Sequence, residues 1–160
     1  MESMHSRNGL LIALLVLTIL GIADAFYLTL SAFQGAALFC DVGAVLDGCN
    51  VVAQSPYSKL FGLPLALYGM VFYGFVFIAV SALFVLTHHP LYQAVVALGV
   101  IGLIASLAFL FIQFVLIKAL CIYCIISAVI AALICLIAIR LWAKHAPGRV
   151  KNFPPPPVVS

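Results

Sequence analysis

Four predominantly apolar stretches occupy most of this 160-residue chain, from Gly9 to Ala32, Leu63 to Leu86, Leu91 to Ile117 and Leu120 to Trp142. Each is long enough to cross a bilayer, which takes about 20 consecutive apolar residues as a helix. A water-soluble domain of this size has too much surface for its volume to hide such runs. Hydrophobic residues make up 67% of the chain and charged ones 7%, and the mean hydropathy is +1.33. The expected fold is an all-α membrane protein, a compact bundle of four transmembrane helices.

The basic residues orient the bundle. Arg7 precedes the first run, while Arg140, Lys144, Arg149 and Lys151 lie at or after the last. The long loop between runs one and two holds Lys59 against Asp41 and Asp47. Because short cytoplasmic flanks carry the excess of Lys and Arg, both termini are expected in the cytoplasm and the long loop outside. The net charge of +3 is thus accounted for by topology, and nucleic acid is not an expected partner. Arg7, an apolar run and Ala23-Asp24-Ala25 also resemble a cleavable signal peptide. The run continues through Phe26, Tyr27, Leu28 and Leu30, which favours a span.

The loop, "QGAALFCDVGAVLDGCNVVAQSPYSKLFG" from Gln34 to Gly62, contains turn residues at Gly43 and Gly48 and apolar anchors at Val51 and Val52. Ser55-Pro56 has the chemistry of a helix start, a side-chain acceptor followed by a residue with no N–H to leave unpaired. A short interfacial helix is therefore expected from Tyr57 to Phe61. The links between later runs are short, as "THHP" illustrates, so consecutive helices should be antiparallel neighbours. Residues 1–145 form the expected redox domain, and the proline-rich tail at 146–160, ending "NFPPPPVVS", is expected to be disordered. There is no internal repeat.

Cysteines stand at 40, 49, 121, 124 and 135. The topology puts Cys40 and Cys49 in the outer loop and Cys121 and Cys124 at the outer end of the last helix, on the side where disulfides persist. Cys135 lies roughly 16 Å deeper than Cys124 at the helical rise, and packing explains it. Cys121-Ile122-Tyr123-Cys124 puts two thiols on one helix face. A bond between them closes too small a loop to act as a useful staple, whereas redox exchange suits the spacing. The helix N-terminus favours a thiolate at the leading cysteine. Lys118 is placed to add to this, or simply to reach the lipid head groups. Two cysteine pairs in series form a relay in which a thiolate attacks a disulfide. The electron sink within reach of an apolar bundle is a lipid-soluble quinone.

"CDVGAVLDGC", then Ser55, then "FG", then "CIYC" heading the fourth run resemble the vitamin K epoxide reductase family over nearly the whole chain. The resemblance implies that Cys40 exchanges with an external thioredoxin-like protein. It implies that Cys49 shuttles through a Cys49–Cys121 mixed disulfide, that Cys124 faces the quinone, and that Ser55 is the serine beside the loop pair. Animal members carry a tyrosine four residues after the second CxxC cysteine and an asparagine near the start of span two. This chain has Ala128 and Leu65 there, as possible neighbours of the quinone. The pattern is closer to bacterial members, which regenerate disulfide-forming machinery outside the inner membrane. Many of these carry a fused thioredoxin-like domain; the sequence here stops shortly after the fourth run, so the expectation is a separate partner, or a domain cut away at the proline tail.

The expected function is therefore oxidation of a thioredoxin-fold partner outside the cytoplasm, with reduction of ubiquinone or a menaquinone/vitamin K-type quinone and no metal. One alternative is vitamin K quinone or epoxide reduction. Another is a structural adaptor in which the four outer cysteines bind zinc or form staples. Asp24 is a carboxylate within a span, where charge marks function or lies hydrated near the interface. His88 and His89, at the far hairpin, are expected to be solvated. Among the aromatics that could line a quinone pocket (Phe61, Tyr68, Phe72, Phe111, Phe114 and Tyr123), Phe114 and Tyr123 rank highest by closeness to the CxxC.

Overall fold

The computed structural model describes residues 2–40, 48–86 and 88–145. The expected turn at Gly43 and the expected disorder of residues 146–160 fall outside the described residues. Helix α1 spans Glu2–Gln34, the short α2 spans Cys49–Gln54, α3 spans Leu65–Val85, α4 spans His89–Ile112 and α5 spans Ile122–His145. A π-helical turn, Gln113–Ile117, continues α4. Four segments are long and apolar enough to cross a membrane: Arg7–Gln34, Leu65–Val85, His89–Ile117 and Ile122–Lys144. The all-α four-helix bundle expected from the apolar runs is the observed architecture.

Local chemistry sets the ends of these helices. Gly35 takes a left-handed φ of 62° just after α1, a conformation that costs glycine little and stops the helix. Pro90 sits in the first turn of α4, where a missing N–H breaks no helical bond. In the bundle α1 packs on α3 and α5, and α4 packs on α5 and α3. Leu11, Leu14, Val76, Val80, Leu83, Val95, Ile134 and Leu141 meet in its centre. Ile12, Ile19, Phe75, Ile78, Ile104 and Leu107 point outward. Such helices are apolar all round, as lipid-facing spans must be. Cys135 is buried at the α4–α5 contact, where a Cβ on Gly99 would lie 3.0 Å from its Cα. The missing side chain lets two backbones approach closely.

The loop differs from expectation in one element. The short helix is α2, upstream of Ser55, and not Tyr57–Phe61. The Ser55 hydroxyl donates backward to the Val52 carbonyl at 2.7 Å, closing the C-terminus of α2 and capping no N-terminus. Pro56–Ser58 forms a single 3-10 turn. It leads into a minimal hairpin, β1 (Lys59–Leu60) against β2 (Leu63–Pro64), that turns at Phe61 and Gly62 with φ of 52° and 83°. Two consecutive positive φ values match the twist of a two-residue hairpin, so the "FG" pair makes a turn where a helix was expected.

Candidate active site

The segment after α1 is tied down by side chains from three helices. Asn50 on α2 clasps Leu38: its Oδ1 accepts from the Leu38 N–H at 2.8 Å, and its Nδ2 donates to the Leu38 carbonyl at 3.2 Å. The Phe39 N–H donates to the Tyr27 hydroxyl at 3.3 Å, and the Tyr123 hydroxyl donates to the Phe39 carbonyl at 2.8 Å. The rings of Tyr27 and Tyr123 sit 5.2 Å apart. Cys40 follows directly and is joined by a disulfide to Cys49, with 6.2 Å between their Cα atoms. The first turn of α2 turns Cys49 and Val52 inward, so that Cys40, Cys49 and Cys121 share one buried cluster with Leu38, packed against Cys124.

Gly48 explains how closely the loop can dock. A Cβ there would lie 2.8 Å from the Ala119 side chain and 2.8 Å from the Leu120 backbone. The absence of a side chain lets the start of α2 rest on the turn just before Cys121.

That turn is organised by Gln113. Its backbone carbonyl accepts from the N–H groups of Lys118 and, at 3.3 Å, Ala119. Its side-chain Oε1 accepts from the Cys121 N–H at 2.9 Å. Lys118 takes the left-handed conformation at φ 55° that carries the chain from the π turn toward α5.

Cys121 and Cys124 are free thiols facing each other at the head of α5. The Cys121 thiol is pulled down from an ordinary 9.0 to about 7, chiefly by a hydrogen bond from the Cys124 thiol. Burial opposes this, the N–H groups of Cys124 and Tyr123 reinforce it, and the charge of Asp24 works weakly against it. The helix N-terminus thus acts through two specific N–H groups. Lys118 is exposed, and the hydrogen bonds that favour the thiolate come from Cys124 and Tyr123.

A cavity of about 880 Å³ opens beside the thiols, walled by α1, α2, α3, α4 and α5. Cys49, Cys121 and Cys124 all line it. Its volume falls within the range of roughly 300–1,000 Å³ typical of small-molecule pockets. Phe72, Phe109 and Tyr73 contribute aromatic surface. The Tyr73 hydroxyl is held by Ser127, at 2.8 Å from Oγ and 3.0 Å from the carbonyl. Asp24 also faces this cavity, and its buried Oδ2 has no hydrogen-bond partner among the described residues.

The remaining candidate residues divide. Ser55 and Leu65 line the cavity. Phe114 does not: it points outward and is 71% exposed. Tyr123 is also absent from the lining, because its hydroxyl is used to hold Phe39. Ala128 is buried in helix packing away from the wall. Closeness in sequence to the CxxC misled for Phe114 and Tyr123, since the helix direction decides which side chains face inward. His88 and His89 begin α4, at the end of that helix opposite the cysteines.

Gln113, Asn50, Gly48 and Tyr73 were missed by the sequence argument. Only Gln113 carried a usable signal, as an uncharged polar residue deep in an apolar run eight positions before Cys121. The other three depend on contacts between distant segments.

A family model, described as the vitamin K epoxide reductase family, matches residues 12–139. The chain belongs to the vitamin K epoxide reductase family. Membership makes it a membrane oxidoreductase, and the match runs from within the first membrane-spanning helix to within the last, taking in both cysteine pairs. No curated protein matches the chain in a sequence search.

Proposed function

We propose that this vitamin K epoxide reductase family member is a thiol–quinone oxidoreductase that draws electrons from a thioredoxin-fold dithiol protein outside the cytoplasm. Residues 1–145 act as one redox unit in a bacterial inner membrane, with both termini cytoplasmic and the cysteines on the outer side. The observation that carries this reading is a single cavity whose wall includes Cys49, Cys121 and Cys124.

The steps balance. A reduced partner attacks the Cys40–Cys49 disulfide and leaves as a disulfide, so that both loop cysteines become thiols. With Cys121 and Cys124 oxidised, the Cys49 thiolate attacks the Cys121 sulfur, forming a Cys49–Cys121 bond and releasing Cys124 as a thiolate. Cys40 then attacks Cys49, restoring the loop disulfide and leaving Cys121 and Cys124 as a dithiol. Joined Cys40–Cys49 with free Cys121 and Cys124 is the state described above. The dithiol finally passes two electrons and two protons to a quinone of ubiquinone or menaquinone type, giving the quinol and the Cys121–Cys124 disulfide. The low Cys121 thiol suits thiolate chemistry near neutral pH. Asp24 faces the same cavity, which supports a role for it in protonating the reduced quinone. Ser55 acts through the loop, ending α2 and so holding the helix that carries Cys49.

Epoxide reduction gains less support, because Leu65 presents no polar group to the cavity where animal members have asparagine. A zinc adaptor needs four thiolates at once, and Cys40 and Cys49 are bonded to each other.

In purified, lipid-reconstituted protein, Cys124→Ala should abolish quinone reduction while its loop disulfide still oxidises a reduced thioredoxin-like protein for one turnover. Cys40→Ala should block turnover driven by that protein but spare turnover driven by a small dithiol. Quinone reduction at the normal rate by Cys124→Ala would sink the assignment.

A further inference from the structure

Gln113 is fully buried, at 0% exposure, inside a membrane-spanning segment. A buried primary amide needs partners for its oxygen and for both N–H groups. The oxygen is occupied by the Cys121 N–H at 2.9 Å. Nε2 is buried with no hydrogen-bond partner among the described residues, and the ionisable group beside it is the Cys124 thiol. A neutral thiol is a weak acceptor, so the amide is left nearly unsatisfied, which ordinarily costs about 1–3 kcal/mol. A thiolate in the same place is a strong acceptor and would satisfy it. The surroundings hold the amide in this pose. Its carbonyl closes the π turn onto Lys118 and Ala119, and its Oε1 is pinned to the residue that begins the CxxC. Single π-helical turns recur where a side chain must be aimed at a functional site.

We propose that Gln113 is the hydrogen-bond donor that stabilises the Cys124 thiolate released when Cys49 opens the Cys121–Cys124 disulfide. This rests on the relay described above. In that step the Cys49–Cys121 bond forms, the Cys121–Cys124 bond breaks, and the electron pair of the broken bond goes to the Cys124 sulfur. That sulfur is half-buried on the cavity wall of an apolar bundle, and a donor already fixed beside it stabilises the charge as it develops. The amide then plays for sulfur the role that a preorganised N–H plays for a developing oxyanion. Other ionisable groups facing this sulfur are Cys121 on the preceding turn and Asp24 from α1. Tyr73 from α3 lines the same cavity and spends its hydroxyl on Ser127. Gln113 is the neighbour whose donor is uncommitted.

The test isolates the Cys124 thiol and needs neither quinone nor partner, so its outcome is independent of whether the full reaction is correct. In Cys121→Ser, Cys135→Ala protein with the loop disulfide intact, Cys124 is the one free thiol. Its ionisation is followed by ultraviolet thiolate absorbance against pH. Gln113→Glu keeps the acceptor for the residue 121 N–H but replaces the donor with a carboxylate. Gln113→Met removes the donor without adding charge. Both substitutions should move the Cys124 midpoint upward by a unit or more, a roughly tenfold or greater loss of thiolate at a given pH below it. In the otherwise wild-type protein, either should slow opening of the Cys121–Cys124 disulfide while small-dithiol reduction of Cys40–Cys49 keeps its rate. An unchanged midpoint in folded variants overturns the proposal and leaves Gln113 as a packing residue. If both variants fail to fold, the Gln113 side-chain amide signals in ¹⁵N-glutamine-labelled protein decide instead. They should shift with the Cys124 titration, and signals that stay put as it ionises overturn the proposal equally.

Discussion

The thiol of Cys121 is buried at 1% exposure yet favours its charged form, and the two facts have to be weighed together. Burial alone raises a thiol. Here the Cys124 thiol and two helix N-terminal N–H groups outweigh it and bring Cys121 to about 7. With the loop disulfide intact and the CxxC reduced, one thiolate should therefore appear with a midpoint near pH 7, read by ultraviolet absorbance. Removing its main donor by Cys124→Ala should move that midpoint back toward the ordinary 9.0. The sign for stability follows from a folded value below the unfolded one. The contribution is complete above about pH 9 and fades as pH falls through about 7. A first thiolate appearing only near pH 9 would contradict the hydrogen-bonding scheme. Within the site, the CxxC was legible because its spacing has a chemical meaning by itself. Asp24 stood out only as a polar residue in an apolar run, Gln113 carried the same signal and was missed, and the surroundings of neither could be read from the chain.

Among the elements, α2 and the π turn carry the geometry on which the proposed relay rests. Cys49 rides the first turn of a six-residue helix, which is too short to be stable alone. It is held instead by the Asn50 clasp on Leu38 and by the close seat of Gly48 on Ala119 and Leu120. Gly48→Ala would place a methyl 2.8 Å from backbone atoms of Leu120, so α2 must lift. The expected outcome is slower transfer from Cys49 to Cys121, measured by stopped-flow after reducing the loop pair. Quinone reduction driven by a small dithiol acting at Cys121 should keep its rate. An unchanged transfer rate would mean that docking of α2 is not limiting. The expected helix at Tyr57–Phe61 failed for a local reason. Ser55 has the same capping chemistry at either end of a helix, and the contacts of Val52 and Cys49 made it the end of α2 and not the start of another helix.

For the whole molecule, the bundle brings the long loop and the turn before α5 to one membrane face and the hairpin before α4 to the other. Arg7, Arg140 and Lys144 lie toward the face away from the cysteines. The charge bias predicts that, in intact cells after mild reduction, a membrane-impermeant maleimide labels Cys40 and Cys49 from outside. A reporter fused after His145 should be reachable only once the membrane is opened. Labelling of the loop cysteines only in opened cells would invert the topology and remove access to a partner outside the cytoplasm. Number, length and order of the spans were determined by the sequence itself, because a bilayer demands long apolar runs and the chain supplies four. The CxxC spacing likewise pointed to redox exchange from the sequence alone. Only the tertiary structure decided which side chains meet in the cavity: Asp24, Phe72, Tyr73 and Leu65 face it, while Phe114 and Tyr123 turn elsewhere. The physical reason is that these helices are apolar on every side, so no hydrophobic pattern marks an inner face. Close glycine contacts, buried hydrogen bonds and the shape of the bundle set that face, and those depend on residues far apart in the chain.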